Sequence, residues 1–209
     1  MGIDVEYRLA PPPRWDQAPG DVLCALAWLP KAPELAMVDP QRVVVVGESA
    51  GGSLALVAAY AAGTDLLTSS CPEVGLPIVP AGVFVIAPTA DLEGIWQDAT
   101  ITDYGGTRFP EAYIGGPPAQ FPDRYAAAEP FRLLRPDLPR TVILAGETDR
   151  FVLIERSRAL ADRIRAAGSD VELLVAPFAG HGFDGEPNSF GAQLTESIVR
   201  DFVLGEPFG

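Results

Sequence analysis

A single histidine, His181, and two cysteines, Cys24 and Cys71, are all that the 209 residues offer in imidazole or thiol. Metal sites are built from clusters of such side chains at short spacings, so neither a metal nor an organic cofactor is expected. Basic residues are also scarce, with 15 Lys and Arg against 28 Asp and Glu, for a formal net charge of −13. A surface this acidic repels phosphate backbones and anionic headgroups, so nucleic acid and membrane are not expected partners. No apolar run reaches the length of a membrane span, and Met1 to Glu6 carries acids where a signal peptide carries bases, which points to a cytoplasmic protein. Cys24 sits in the apolar run Val22 to Leu29 and reads as a buried free thiol, with Cys71 in a loop.

What the chain does have is apolar residues, 48% of the total, in short continuous runs. Val43–Val46, Val83–Ile86, Thr141–Leu144 and Val171–Val175 are of strand length without polar alternation, the mark of strands covered on both faces. Ile3 to Tyr7 reads as a further short strand. Helical patterns lie between them, from about Asp16 to Leu29, Leu54 to Ala62, Leu153 to Ala167 and Ala192 to Val203. Strand and helix in alternation predict an α/β fold with a mostly parallel sheet and helices on both faces. The whole of 1–209 reads as one domain.

Asp91 to Pro139 breaks that rhythm and is too long for a plain connection. It is rich in Pro and Gly and carries Trp96, Tyr104, Phe109, Tyr113, Phe121, Tyr125 and Phe131. Such rings can pack a small core of their own or line a pocket, and both uses are compatible with a cap-like excursion.

The run Val43–Val46 breaks into Gly47-Glu48-Ser49-Ala50-Gly51-Gly52 and then a stretch of small residues, Ser53 to Ala62. A strand, a sharp turn with serine at its apex and a helix project the hydroxyl clear of the sheet, and the helix start presents backbone N–H groups to an anion. Gly47 and Gly51 are the positions where a β-carbon is expected to crowd the turn. The plain alternative is a glycine-rich turn, but the flanking runs favour Ser49 as nucleophile. His181, between Gly180 and Gly182 after the last strand, is the available base. Asp149 and Glu147 both follow the strand Thr141–Leu144; Asp149, standing beyond the turn, is the preferred orienting acid and Glu147 its rival. Ser, Asp, His is the order seen in α/β-hydrolases.

Tyr7-Arg8-Leu9-Ala10-Pro11, Gly47 to Gly52, the Gly146–Asp149 turn and His181-Gly182-Phe183 together resemble landmarks of the hormone-sensitive-lipase-like esterases of the α/β-hydrolase fold family. Tyr125 to Pro130 and Arg165 to Gly168 are softer matches. The resemblance implies that Ser49 attacks an ester carbonyl, that His181 moves the proton, that Asp149 fixes the imidazole tautomer and that the Ala50 N–H donates to the oxyanion. Asp149-Arg150-Phe151 departs from the family's Asp-Pro-Leu. The family also has a His-Gly-Gly loop upstream of Tyr-Arg-Leu-Ala-Pro, and this chain begins almost at that segment, so an N-terminally truncated α/β-hydrolase fold is expected.

Two consequences follow from that expectation. The Ile3–Tyr7 segment must pair with Val43–Val46 or leave apolar sheet edges open, which invites a homo-oligomer through the exposed edge. Turnover by a serine carboxylesterase of small to medium acyl esters is expected to be impaired, because an oxyanion donor is worth about 10²–10³ in rate. A shallow pocket would favour short acyl chains on the small-molecule ester substrate. The alternative is a non-catalytic hydrolase-like or small-molecule-binding protein; a peptidase fits the motif context less well.

Overall fold

Parallel pairing follows from the continuous apolar runs. The computed structural model describes residues 1–102, 106–205 and 208. Its sheet has four parallel strands in the order β1 (Val44–Glu48), β2 (Gly82–Ile86), β3 (Arg140–Gly146) and β4 (Val171–Ala176). Val45 stands opposite Val83, Val83 opposite Thr141, and Thr141 opposite Val171, so the carboxyl ends of all four strands share one rim.

Each strand alternates its side chains between two apolar layers. On one face, Val83, Val85 and Ile143 pack against α2 (Ser49–Ala61) and α6 (Ile154–Ala166) through Leu56, Tyr60, Leu160 and Ile164. On the other, Phe84, Ile86, Val142 and Leu144 meet Phe202 of α7 (Phe190–Leu204). The Tyr60 hydroxyl would be costly to bury alone, and it is hydrogen-bonded to Thr141 Oγ1 at 2.8 Å. Helix α1 (Ala18–Trp28) lies against α2 through Leu23 and Leu26.

The excursion between β2 and β3 folds as three short helices, α3 (Leu92–Thr102), α4 (Arg108–Ile114) and α5 (Pro122–Ala128). Both uses of its rings occur. Tyr125 and Phe121 build a small core with Leu92, Ile114 and Trp15, while Phe109 and Tyr113 line a cavity. Phe131 packs against the main core, and Tyr104 lies outside the described residues. Arg156 of α6 pins α3 through ion pairs of 2.8 Å each to Asp91 and Asp98.

Three expectations are corrected. Ile3 to Tyr7 is not a strand, because among the described residues no neighbour offers it a ladder: β1 pairs with β2 alone, and Ile3 and Val5 are exposed. Among the described residues no strand pairs with the outer edge of β1. The cysteines are not free: Cys24 and Cys71 form a disulfide, their α-carbons 5.3 Å apart across a sequence separation of 47. The place of Cys24 in an apolar run on α1 had concealed a partner that only the fold brings near. Helix α2 also begins at Ser49 itself, with Gly51 and Gly52 inside its first turn.

Candidate active site

Strand β1 ends at Glu48 and α2 starts at Ser49 with no residue between them. So abrupt a reversal forces Ser49 to φ +49°, a left-handed conformation that costs a non-glycine residue on the order of 1–3 kcal/mol. A β-carbon on Gly47 would overlap the Gly51 carbonyl, so glycine is required there. At Gly51 the nearest atom to such a carbon is the Tyr7 hydroxyl, 3.9 Å away, which is an ordinary contact. The second crowded position is Gly52, where it would stand 3.1 Å from Pro88 Cβ and 3.2 Å from the Gly47 carbonyl oxygen. The close approach at Gly52 is therefore both to the loop after β2 and within the turn.

His181 lies 3.0 Å, through Nε2, from Ser49 Oγ, and 2.8 Å, through Nδ1, from Asp149 Oδ2. With Nδ1–H donating to the carboxylate, Nε2 is free to accept the serine proton. Asp149 is 4% exposed, and its Oδ1 accepts the backbone N–H groups of Phe151 at 2.7 Å and Val152 at 2.9 Å. Both oxygens are thus committed, one to the imidazole and one to its own loop. The hydrogen bond that His181 donates to Asp149 raises its pKa above the ordinary value against the opposing effect of burial, helped by the charges of Asp149, Glu48 and Asp184. Burial, together with the charge of Asp184, likewise raises the Glu48 carboxyl.

Glu147, the rival acid, serves a different purpose. Its carboxylate accepts the Phe178 N–H at 3.1 Å, and Thr148 donates its N–H and its hydroxyl to the Ala179 carbonyl at 2.9 and 3.0 Å. The Glu147–Thr148 turn therefore holds the loop that carries His181. Phe151, at the family's Leu position, sets its ring 5.0 Å from that of His181 and 5.6 Å from that of Phe109.

Ser49, Ala50 and His181 open onto a cavity of about 640 Å³ lined mainly by apolar groups, among them Leu54, Val57, Ile95 and Phe151. It is larger than the shallow pocket expected from sequence, because α3 and α4 wall it over. The Tyr7–Ala10 segment forms another wall. Arg8 secures that wall by donating to Asp21 through its backbone N–H and guanidinium. Burial works to raise the Asp21 carboxyl, but hydrogen bonds from Arg8 and Ser70 hold it at about 2. The first amides of α2, Ala50 included, have no acceptor within the helix, and Ala50 is among the residues that line this cavity. Among the described residues no group of His, Cys, Asp and Glu could hold a metal ion.

Sequence reasoning did not single out Thr89 or Phe151, which both line the cavity. Thr89 follows the end of β2, and the rule that ligands sit beyond the carboxyl ends of parallel strands was the available signal.

A family model described as the alpha/beta hydrolase fold matches residues 2–185. The chain is 29% identical over 189 residues to Esterase LipC of Mycobacterium tuberculosis, covering 87% of this chain and 45% of that protein. It is 29% identical over 183 residues to an ethyl acetate hydrolase of Pseudomonas putida, covering 87% and 55%. The chain thus spans about half the length of these curated relatives. Among solved structures, butyrate-bound esterase Est2 of Thermogutta terrifontis matches with a TM-score of 0.71 at 25% identity, over 96% of this chain and 70% of that one. A mutant of the esterase E40 matches with a TM-score of 0.71 at 26% identity, over 96% and 64%.

Proposed function

The chain belongs to the alpha/beta hydrolase fold family, and from that premise we propose that it is a serine carboxylesterase acting on small to medium acyl esters. The observation that carries the reading is the pair of contacts at His181, 3.0 Å to Ser49 and 2.8 Å to Asp149, at the mouth of an apolar cavity. Ser49 Oγ attacks the ester carbonyl carbon as Nε2 takes its proton, and the carbonyl π pair moves onto oxygen. The Ala50 N–H donates to that oxyanion. Collapse expels the alkoxide, which takes the proton back from His181, and leaves an acyl group on Ser49. Water repeats the sequence, with His181 again as base, and releases the acid.

A cavity of about 640 Å³ exceeds what an acetyl or butyryl group fills, so the reading includes medium-length acyl chains. The name of one relative, an ethyl acetate hydrolase, supports the short end of that range. No described helix is long and apolar enough to cross a membrane. The Cys24–Cys71 disulfide favours an oxidising compartment over the cytoplasm expected from the acidic N-terminus. Association of copies along the outer β1 edge is part of the proposal, to be read by sedimentation.

A fluorophosphonate probe tests the reading. Ser49 becomes labelled, Ser49→Ala abolishes the label, and hydrolysis of p-nitrophenyl butyrate is lost with it. A label on another serine, or binding of the ester without any turnover, overturns the reading in favour of a non-catalytic binding protein.

A further inference from the structure

Ser49 is held in a left-handed backbone conformation, and something outside its own turn must keep it there. Its carbonyl oxygen accepts the Thr89 N–H at 3.2 Å and lies 3.4 Å from the Thr89 hydroxyl. That hydroxyl is in turn hydrogen-bonded to Ser53 Oγ at 2.9 Å, one helical turn along α2. Thr89 and Ser53 are both buried, at 8% and 9% exposure, so these hydroxyls have few other partners to choose from.

The loop that carries Thr89 is itself braced. Ala87, two residues earlier, has φ +42° and donates its N–H to the Leu144 carbonyl of β3 at 2.9 Å. Pro88 then rests on Gly52, where no β-carbon interferes. The end of β2 is thereby pressed against the first turn of α2, with Thr89 as the polar link between them.

We propose that Thr89 is a positioning residue for Ser49, fixing the peptide that follows the nucleophile and through it the 3.0 Å approach of Oγ to His181. This rests on the reading of Ser49 as nucleophile. Thr89→Val keeps the shape of the cavity wall and the backbone N–H that Ser49 accepts but removes the hydroxyl, leaving the serine carbonyl with one partner fewer on this side and the Ser53 hydroxyl without this partner. The loss falls on a step in which Oγ must be aimed, so it enters kcat rather than KM.

The test is the rate at which a fluorophosphonate acylates Ser49 in the whole chain, with kcat and KM for p-nitrophenyl butyrate and the melting temperature read alongside. Thr89→Val is expected to slow labelling and kcat by about tenfold with KM within about twofold, and Thr89→Ser to restore both. Wild-type labelling by Thr89→Val, or a Thr89→Ser variant no faster than Thr89→Val, overturns the proposal while leaving Ser49 as nucleophile. A wild-type chain unlabelled at Ser49 overturns both together. Should Thr89→Val fail to fold, Ser53→Ala takes its place: slower labelling supports the link through the hydroxyl pair, and an unchanged rate removes it.

Discussion

A β-carbon built on Gly146 would stand 2.5 Å from the carbonyl oxygen of Ala179. The end of β3 and the loop before His181 are in backbone contact at that point, and Thr148 closes the contact with two hydrogen bonds to the same oxygen. Asp149 and His181 thus meet where their backbones are docked.

Gly146→Ala should therefore displace the His181 loop rather than merely crowd it. Loss of about 10²-fold in kcat is expected from a shift near 1 Å. Steady-state hydrolysis of p-nitrophenyl butyrate measures it, and a rate within about twofold of wild type would show that the docking has no bearing on reactivity.

The pH profile follows from the direction of the His181 shift. The hydrogen bond accepted by Asp149 favours the protonated imidazole, so His181 must lose its proton at a higher pH than the ordinary value of about 6.5. As general base it is active when neutral, so kcat/KM falls as pH drops through that raised value. Asp149→Asn removes the largest raising influence and should move the acid limb downward as well as slow the reaction. A wild-type limb at or below about 6.5 contradicts the assignment.

Glu129 offers a test of stability that is separate from chemistry. Burial, with the nearby charges of Asp91 and Glu93, pushes its carboxyl up to about 7, against hydrogen bonds from the backbone N–H groups of Glu93 and Leu92. The folded state then holds a proton that the unfolded state has released, so this group subtracts stability as pH rises from about 4.5 to about 7. Glu129→Gln keeps a carbonyl acceptor for the helix and loses the charge. It should stabilise the fold at pH 8 by about 1–2 kcal/mol and by much less at pH 5, as chemical denaturation at the two pH values will show.

The disulfide is checked directly. Without reduction, iodoacetamide should modify neither Cys24 nor Cys71. Cys24→Ser with Cys71→Ser opens a loop spanning 47 positions and is expected to cost about 4 kcal/mol by chain entropy. Full alkylation of the native, unreduced protein would remove the bond from the account.

Much of the sheet was legible because continuous apolar runs can hardly be satisfied except between two layers of helix, and the four predicted runs lie in β1 to β4 save for Val43, which precedes β1. Ile3 to Tyr7 shows the limit of the same logic. Its alternating residues suit a strand, but a strand needs a neighbour, and a neighbour is not a property of the segment. The helices α3 to α5 were hidden in another way: they are short and interrupted by Pro and Gly, so no periodicity accumulates. The Cys24–Cys71 pair lay out of reach because proximity across a separation of 47 leaves no local trace.

Local order by itself determined the parallel α/β character, the sharp turn at Ser49 and the short set of groups that could serve it, since each depends on residues a few positions apart. The tertiary structure alone decided which of Asp149 and Glu147 faces His181, that Gly52 rather than Gly51 is the crowded position, and that Thr89 reaches the serine carbonyl. His181 is 32 residues from Asp149 and 132 from Ser49 in the chain. Hydrogen bonds form at about 3 Å, and only the packing of β1, β3 and the loop after β4 sets distances on that scale.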